Sequence, residues 1–311
     1  MKDSNMNESG FVRKSISEDG RAVIVTADLT PVLRKIIKQL GAFPASFNHL
    51  GQACLGAVLI QALSDTDEEE KLELQWQSTG PFGNLYADAL GTGKIRGTIQ
   101  NLQANVESLK ISMGQGLLQV RKLDSHNIKS TGIVESTGWV AGDLKTFLEQ
   151  SEQKTCAINL HVGFEILSDP VTKLEELQIA EAFGFMIHVL PTDTEDEKTK
   201  LLQLWDHRHK MLGPLNEWAL PMNPEESSKT MMEWLTVGSK PRLLKKFPVE
   251  YFCTCSEDRI QRAIDLLTER EKKWILTGDS EEDENSSAVS VNCEFCGKTY
   301  SIRKEILKTK S

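Results

Sequence analysis

The sequence lacks a long apolar run, an export signal and an excess of positive charge. Its richest apolar stretch, Ala53 to Leu63, is interrupted by Gly56 and Gln61 and falls short of the roughly 20 residues that a membrane helix needs. Met1 to Gly10 is polar and contains no apolar core followed by a small-residue cleavage site, so we expect a cytoplasmic protein. Acidic residues outnumber basic ones by 45 to 36, which disfavours a surface built to bind phosphate backbones. We therefore expect neither a membrane nor a nucleic acid as a partner.

Motifs typical of enzymes are also missing. The glycine-rich segment G-T-G-K-I-R-G, from Gly91 to Gly97, fits neither common phosphate-binding pattern and predicts a hairpin turn instead. Serine, histidine and aspartate do not occur together in a recognisable catalytic motif. We expect no catalytic residues and a protein that is not an enzyme.

The pattern of apolar residues predicts an α+β fold for the N-terminal domain, residues 1–194. Leu72, Leu74 and Trp76 alternate with polar neighbours, which is the period of a half-buried strand. Further strands are predicted at 22–25, 117–120, 132–134, 158–162 and 185–189, and helices at 31–40, with Thr30 as the N-cap, 47–63 and 144–150. Because strands and helices do not alternate regularly, a doubly wound sheet is disfavoured.

Residues 195–250 are predicted to form a helical linker that is rich in Met and Trp. Helical spacing occurs at 201–205 and at 231–235, and five prolines keep each helix short. One interpretation is a set of helices buried against the first domain. The alternative is an adaptable binding surface of the kind that Met-rich, promiscuous binders use.

The last domain, residues 251–311, contains two close cysteine pairs. The first pair is Cys253 and Cys255, and the second pair is Cys293 and Cys296. Two pairs brought together by folding supply four thiolates, the tetrahedral sulfur set that zinc prefers. We predict that these four residues bind one zinc ion per chain.

A structural ion and a redox switch are both compatible with such a site. A disulfide that closed the one-residue loop of the first pair would be strained and easily reduced again, which favours a switch. Ser256 is predicted to cap a helix directly after this pair, where the helix dipole stabilises thiolates. Structural zinc contributes on the order of 10–16 kcal/mol to the folding of such sites, so we expect its loss to unfold this small domain.

Cys54 and Cys156 stand alone in apolar surroundings and are expected to be core residues. Two other functions remain open at this point. One is a thiol oxidoreductase that uses the second pair, and the other is a structural zinc ribbon that binds nucleic acid or protein.

The cysteine pattern resembles a known family, the redox-regulated holdase chaperones of the heat shock protein thirty-three family. The matching segments are F-C-T-C-S, from Phe252 to Ser256, and C-E-F-C-G-K-T-Y, from Cys293 to Tyr300. Matches also occur in family order along the body, at G-P-F-G-N-L (80–85), G-K-I-R-G (93–97), G-I-V-E (132–135), S-E-Q (151–153) and V-L-P (189–191).

This resemblance implies a chaperone domain, a helical linker folded over it and a zinc domain that holds the linker in place. Oxidants are then expected to join Cys253 to Cys255 and Cys293 to Cys296 as redox-active disulfides, release the zinc and unfold the linker. The exposed surface would bind unfolding client proteins without ATP under oxidative stress. We expect a monomer in the reduced state and a homodimer in the oxidised state.

Overall fold

The computed structural model describes residues 9–64, 68–104, 106, 113–124, 127–168, 175–191, 196, 199, 203, 223–236, 239–272 and 288–303. The described residues form mixed sheet and helices, which confirms the predicted α+β class. The chain divides into two compact units, the first ending at Phe252 and the second beginning at Cys253.

The first unit is built on a ten-stranded sheet. Its strands are β1 (Gly10–Ile16), β2 (Ala22–Asp28), β3 (Glu70–Ser78), β4 (Leu85–Leu90), β5 (Lys94–Ile99), β6 (Gly116–Asp124), β7 (Asn127–Ser136), β8 (Cys156–Ser168), β9 (Glu175–Val189) and β10 (Arg242–Tyr251). They lie in the order β7-β6-β3-β4-β5-β10-β1-β2-β9-β8. Neighbouring strands are antiparallel except β5 and β10, which pair in parallel where Lys94 and Ile95 meet Glu250 and Tyr251.

One face of the sheet is covered by three helices, α1 (Thr30–Leu40), α2 (Pro44–Leu63) and α3 (Val140–Gln150). Helix α2 is buried on nearly every side, as expected for a helix without a polar face that forms the centre of a core. It approaches the sheet closely at Gly97, where an added Cβ would lie 2.8 Å from Leu50 and 3.0 Å from the Cys54 sulfur. The glycine at this position therefore permits the packing of α2 on β5.

A fourth helix, α4 (Pro224–Leu235), covers the opposite face of the sheet at β1 and β2. Its apolar side chains join a separate buried cluster formed by Ala22, Ile24, Phe185, Ile187, Met232 and Leu235. Residues 22 and 24 alternate along β2 with Val25 and Ala27, which belong to the main core. Strand β2 is thus buried on both faces.

Three predictions from the sequence need correction or fall outside the described residues. The prediction of a helical linker is wrong for its last residues, because they form strand β10. In this strand Val249 is buried and its two neighbours are exposed, which is the alternation of a strand. Thr30 is not the N-cap of α1, because its hydroxyl accepts the N–H of Ala182 on β9 and Leu29 takes the cap position. The predicted helix at 201–205 lies outside the described residues.

The second unit contains helix α5 (Glu257–Asp265) and a hairpin of β11 (Ala288–Asn292) and β12 (Thr299–Arg303). Ser256 caps α5 as predicted, since its side chain accepts a hydrogen bond from the N–H of Arg259. The buried core of this unit consists of Ile264, Tyr300 and Ile302, with smaller contributions from half-buried neighbours.

Among the helices that the structure describes, none is both long and apolar enough to cross a membrane.

Candidate metal centre

The two cysteine pairs lie on adjacent segments of the second unit. The first pair stands between β10 and α5, and the second pair lies in the turn that joins β11 to β12. In that turn the N–H of Cys293 donates to Lys298 O at 2.9 Å, and the N–H of Gly297 donates to Cys293 O at 2.8 Å. Gly297 has a φ of +69°, which glycine adopts without the steric cost of a side chain. The turn around the second pair is therefore fixed by the main chain.

The four predicted sulfur atoms come together, all within 4.8 Å of one another. The Sγ atoms of Cys253 and Cys293 are 3.6 Å apart, and those of Cys255 and Cys296 are 3.5 Å apart. Four thiolates at about 2.3 Å from a tetrahedral zinc ion lie about 3.8 Å from each other. The cluster therefore has the composition and nearly the dimensions of a zinc site, and it could hold a metal ion.

The loop of the first pair is held against the N-terminus of α5. The guanidinium of Arg259 donates to the carbonyl of Thr254, at 3.1 Å, and also to the hydroxyl of Thr254. Because Thr254 lies between the two cysteines, these bonds fix the loop near the positive end of the helix dipole. That position favours the thiolate form, which binds metals and reacts with oxidants.

The thiols of the cluster differ in acidity. Burial raises the pKa of Cys253 and of Cys296. Burial also acts on Cys255, but hydrogen bonds from Tyr300 and from the neighbouring cysteines outweigh it, and the pKa falls to about 7. Among Cys253, Cys255 and Cys296, Cys255 is therefore the thiol that loses its proton most readily near neutral pH.

The isolated cysteines lie in the core, as predicted. Cys54 is 1% exposed and Cys156 is fully buried, and both thiols are free. Burial raises the pKa of each to about 12, so neither thiol forms a thiolate at neutral pH. Both residues belong to the first unit, and neither is a member of the four-cysteine cluster.

Two contributors to the site were missed in the sequence. Tyr300 donates its hydroxyl to the sulfur of Cys255, and Arg259 anchors the loop of the first pair. The signal for Tyr300 was its alternation with Ile302 along a short strand that returns toward the cysteines. No comparable signal marks Arg259, which is an exposed arginine in the first turn of α5.

Comparisons with known proteins agree with the geometry. A family model described as "Hsp33 protein" matches residues 11–303. The chain is 27% identical to the 33 kDa chaperonin of Listeria monocytogenes, over 97% of this chain and 98% of that protein. It is 26% identical to the 33 kDa chaperonin of Bacillus subtilis, over 96% and 97% of the two chains.

The fold is also shared with a solved structure, the crystal structure of the 33 kDa chaperonin (heat shock protein 33 homolog) of Thermotoga maritima. The TM-score is 0.74 at 18% identity, and the match covers 97% of both chains. The family is one of chaperones and not of enzymes. Because the family model matches nearly the whole length of this chain, the chain belongs to the Hsp33 protein family.

Proposed function

We propose that this protein is a redox-regulated, ATP-independent chaperone, which binds unfolding proteins after oxidation of the four clustered cysteines. The observation that carries the proposal is the set of four free thiols within 4.8 Å of one another. Membership of a chaperone family supports unfolded client proteins as the partners. As expected from the family resemblance, the proposed setting is the cytoplasm, with a monomer when reduced and a homodimer when oxidised.

In the reduced state, Cys253, Cys255, Cys293 and Cys296 are proposed to hold one zinc ion. When bound, zinc would cross-link the loop before α5 to the β11–β12 hairpin. Such a cross-link matters because the unit has a small core, centred on Ile264, Tyr300 and Ile302. A unit of this size is only marginally stable without a metal or a disulfide. Loss of zinc is therefore expected to unfold it.

Oxidation is proposed to join the residues within each pair. In the folded cluster the contacts at 3.5 and 3.6 Å link one pair to the other, so proximity alone does not select this pairing. After zinc is lost and the unit unfolds, the pairs separate, because 37 residues lie between Cys255 and Cys293. The members of a pair stay close along the chain, and closing a short loop costs less entropy than closing a long one.

Helix α4 is proposed to cover the client-binding surface at rest. The surface that it hides is apolar and includes Ile24, Phe185 and Ile187 on the sheet. Several of the bonds that hold the helix are polar or ionic, including Thr26 Oγ1 to Ser228 O at 2.7 Å and Lys246 to Glu225 at 2.6 Å. Such bonds add only about 0–1.5 kcal/mol each in net terms, so α4 is held mainly by its apolar contacts and can be released.

The released segment is proposed to end before β10. Strand β10 pairs with β1 from Arg242 to Val249 and with β5 at Glu250 and Tyr251, so it joins the two parts of the sheet. Its release would separate the ten-stranded sheet at its middle. From the sequence the linker was expected to unfold as far as residue 250. The segment now proposed to unfold ends before Arg242.

The proposal is tested by measuring light scattering from an aggregating client protein. The reduced protein is expected to leave aggregation unchanged, and the protein treated with hydrogen peroxide under mild heat is expected to suppress it. A reductant added afterwards should restore the inactive state. Equal suppression by the reduced and oxidised forms would contradict the switch and leave a structural metal site.

A further inference from the structure

A cavity of about 610 Å³ opens between helix α2 and the connection from β7 to α3. Asn48, His49 and Gln52 of α2 form one wall, and residues 137–140 form the other. All of these residues belong to the first unit, and none is a member of the cysteine cluster. The volume lies within the range of about 300–1,000 Å³ that is typical of sites for small molecules.

The side chain of Trp139 is exposed at this cavity. Although it is large and mostly apolar, it is 67% exposed. A Cβ added at Gly142 would overlap the indole ring, so the glycine lets one face of the ring lie on α3. The rest of the ring is open, and its Nε1 has no hydrogen-bond acceptor among the described residues. An exposed aromatic surface beside a cavity is typical of a binding site.

The wall formed by α2 is fixed by hydrogen bonds. Asn48 donates through Nδ2 to the carbonyl of Val162 on β8, at 3.1 Å. Gln52 donates through Nε2 to Oδ1 of Asn48, at 2.7 Å. Within the part of the chain that the structure describes, no donor meets the Oε1 atom of Gln52. That oxygen is therefore available as an acceptor on a wall that is held in place.

The opposite wall is also fixed. The carboxylate of Asp143 accepts hydrogen bonds from the N–H of Thr137 at 2.8 Å and from its hydroxyl at 3.0 Å. Gly138 has a φ of +82°, and a Cβ added there would lie 2.9 Å from the carbonyl oxygen of Gly114, so the turn requires glycine. The cavity is thus built into the fold, and a ligand can bind without ordering a loop.

The charge on the two walls favours a neutral ligand. Burial lowers the pKa of His49, so its ring is neutral at pH 7. The other side chains that line the cavity are uncharged by type. The N-terminus of α3 carries a partial positive charge, which the carboxylate of Asp143 in its first turn offsets. A charged ligand would therefore lose its hydration without gaining a charged partner, which is costly.

We propose that this cavity is a binding site for a neutral aromatic amine or phenol. The ligand ring packs on the open surface of the Trp139 indole, and the ligand N–H or O–H donates to Oε1 of Gln52. Aromatic rings in contact are stabilised beyond the area that they bury. The activity is independent of the cysteine switch, because every residue that carries it belongs to the first unit.

The test uses two fluorescent probes with the same ring skeleton. N-phenyl-1-naphthylamine is neutral and carries one N–H group, whereas 8-anilinonaphthalene-1-sulfonate has the same rings and N–H group and a negative charge. Each probe is titrated into the reduced, full-length protein in the presence of zinc, and its emission is followed. We expect the neutral probe to saturate a single site per chain and the sulfonate to bind at least about 10-fold more weakly.

Variants of Trp139 test the stacking surface. Trp139→Ala should weaken binding of the neutral probe by about 10-fold, and Trp139→Phe should restore most of the affinity because it keeps an aromatic ring. Both variants should fold, since the side chain is exposed and makes no capping bond at the start of α3. The matched control is Phe43→Ala, which removes a 44% exposed aromatic ring outside the cavity lining and should leave the affinity unchanged.

Gln52→Leu tests the acceptor. It should weaken binding of N-phenyl-1-naphthylamine by about 3- to 10-fold and leave the affinity for its N-methylated analogue unchanged. Equal weakening of both probes would refute the hydrogen bond to Gln52. Equal affinity of the wild type for the neutral and the sulfonated probe, or unchanged affinity in Trp139→Ala, would overturn the proposal.

Discussion

Replacement of Leu235 by alanine is expected to make the reduced protein an active chaperone. Leu235 is fully buried at the end of α4, where it packs with Met232 and the apolar side chains of β2 and β9. Truncation of a buried leucine to alanine typically costs 2–5 kcal/mol. Since α4 is held mainly by apolar contacts such as those of Met232 and Leu235, a loss of this size should release the helix and leave the sheet folded.

Hydrogen exchange and client aggregation measured on the same reduced, zinc-loaded sample check this expectation. The amides of α4 should lose protection while those of α2 keep theirs, and client aggregation should be suppressed without oxidant. Leu243→Ala is the matched control, because Leu243 is 45% exposed on β10 and its truncation should cost little. If α4 lost its protection in Leu235→Ala and the reduced protein still did not bind clients, the client surface would lie elsewhere.

Three further outcomes are expected. Replacing Cys54 and Cys156 together by serine should leave zinc content unchanged, and loss of zinc would refute the ligand assignment. Chelation of zinc should abolish the amide protection of α5 and preserve that of the sheet; protection of both would show that the unit is stable without metal. Burial raises the pKa of Glu152, but its bonds to Lys122 and Lys154 outweigh this effect and lower the pKa. The carboxylate therefore stabilises the folded state at any pH above the pKa of Glu152 in the unfolded chain. Glu152→Gln should therefore cost about 0.5–1 kcal/mol in urea unfolding at pH 7, with the difference vanishing in acid as the pH falls through the lowered pKa; a difference that persisted there would contradict the ion pairs.

The sequence predicted those elements of the fold that have a local signal. Strand β3 follows from its period of two, and the hairpin after β4 follows from its glycines, since Gly93 adopts a φ of +83°. Strand β10 was missed because its exposed Leu243 and Leu244 and its lysines hide the alternation, and its pairing with β1 is a contact between distant parts of the chain. Such pairing leaves no mark on a short window of sequence.

In the candidate site, too, the features with a local sequence signal were predicted and the contacts between distant residues were not. The four cysteines were found because two close pairs are a local pattern, and the structure brings all four together. The hydrogen bond from Tyr300 to Cys255 joins residues 45 positions apart and depends on how the hairpin packs on α5. Spacing alone predicted which four cysteines lie together but not the side chains that form hydrogen bonds with them.

The most direct test of the switch follows zinc and client binding together during oxidation. A single reduced sample is treated with hydrogen peroxide, and free zinc, remaining thiols and suppression of client aggregation are measured at each time point. We expect the loss of four thiols and the release of one zinc ion per chain to accompany the onset of suppression, and a reductant with added zinc to reverse all three. Suppression that appeared while the zinc and the four thiols remained in place would contradict the central claim.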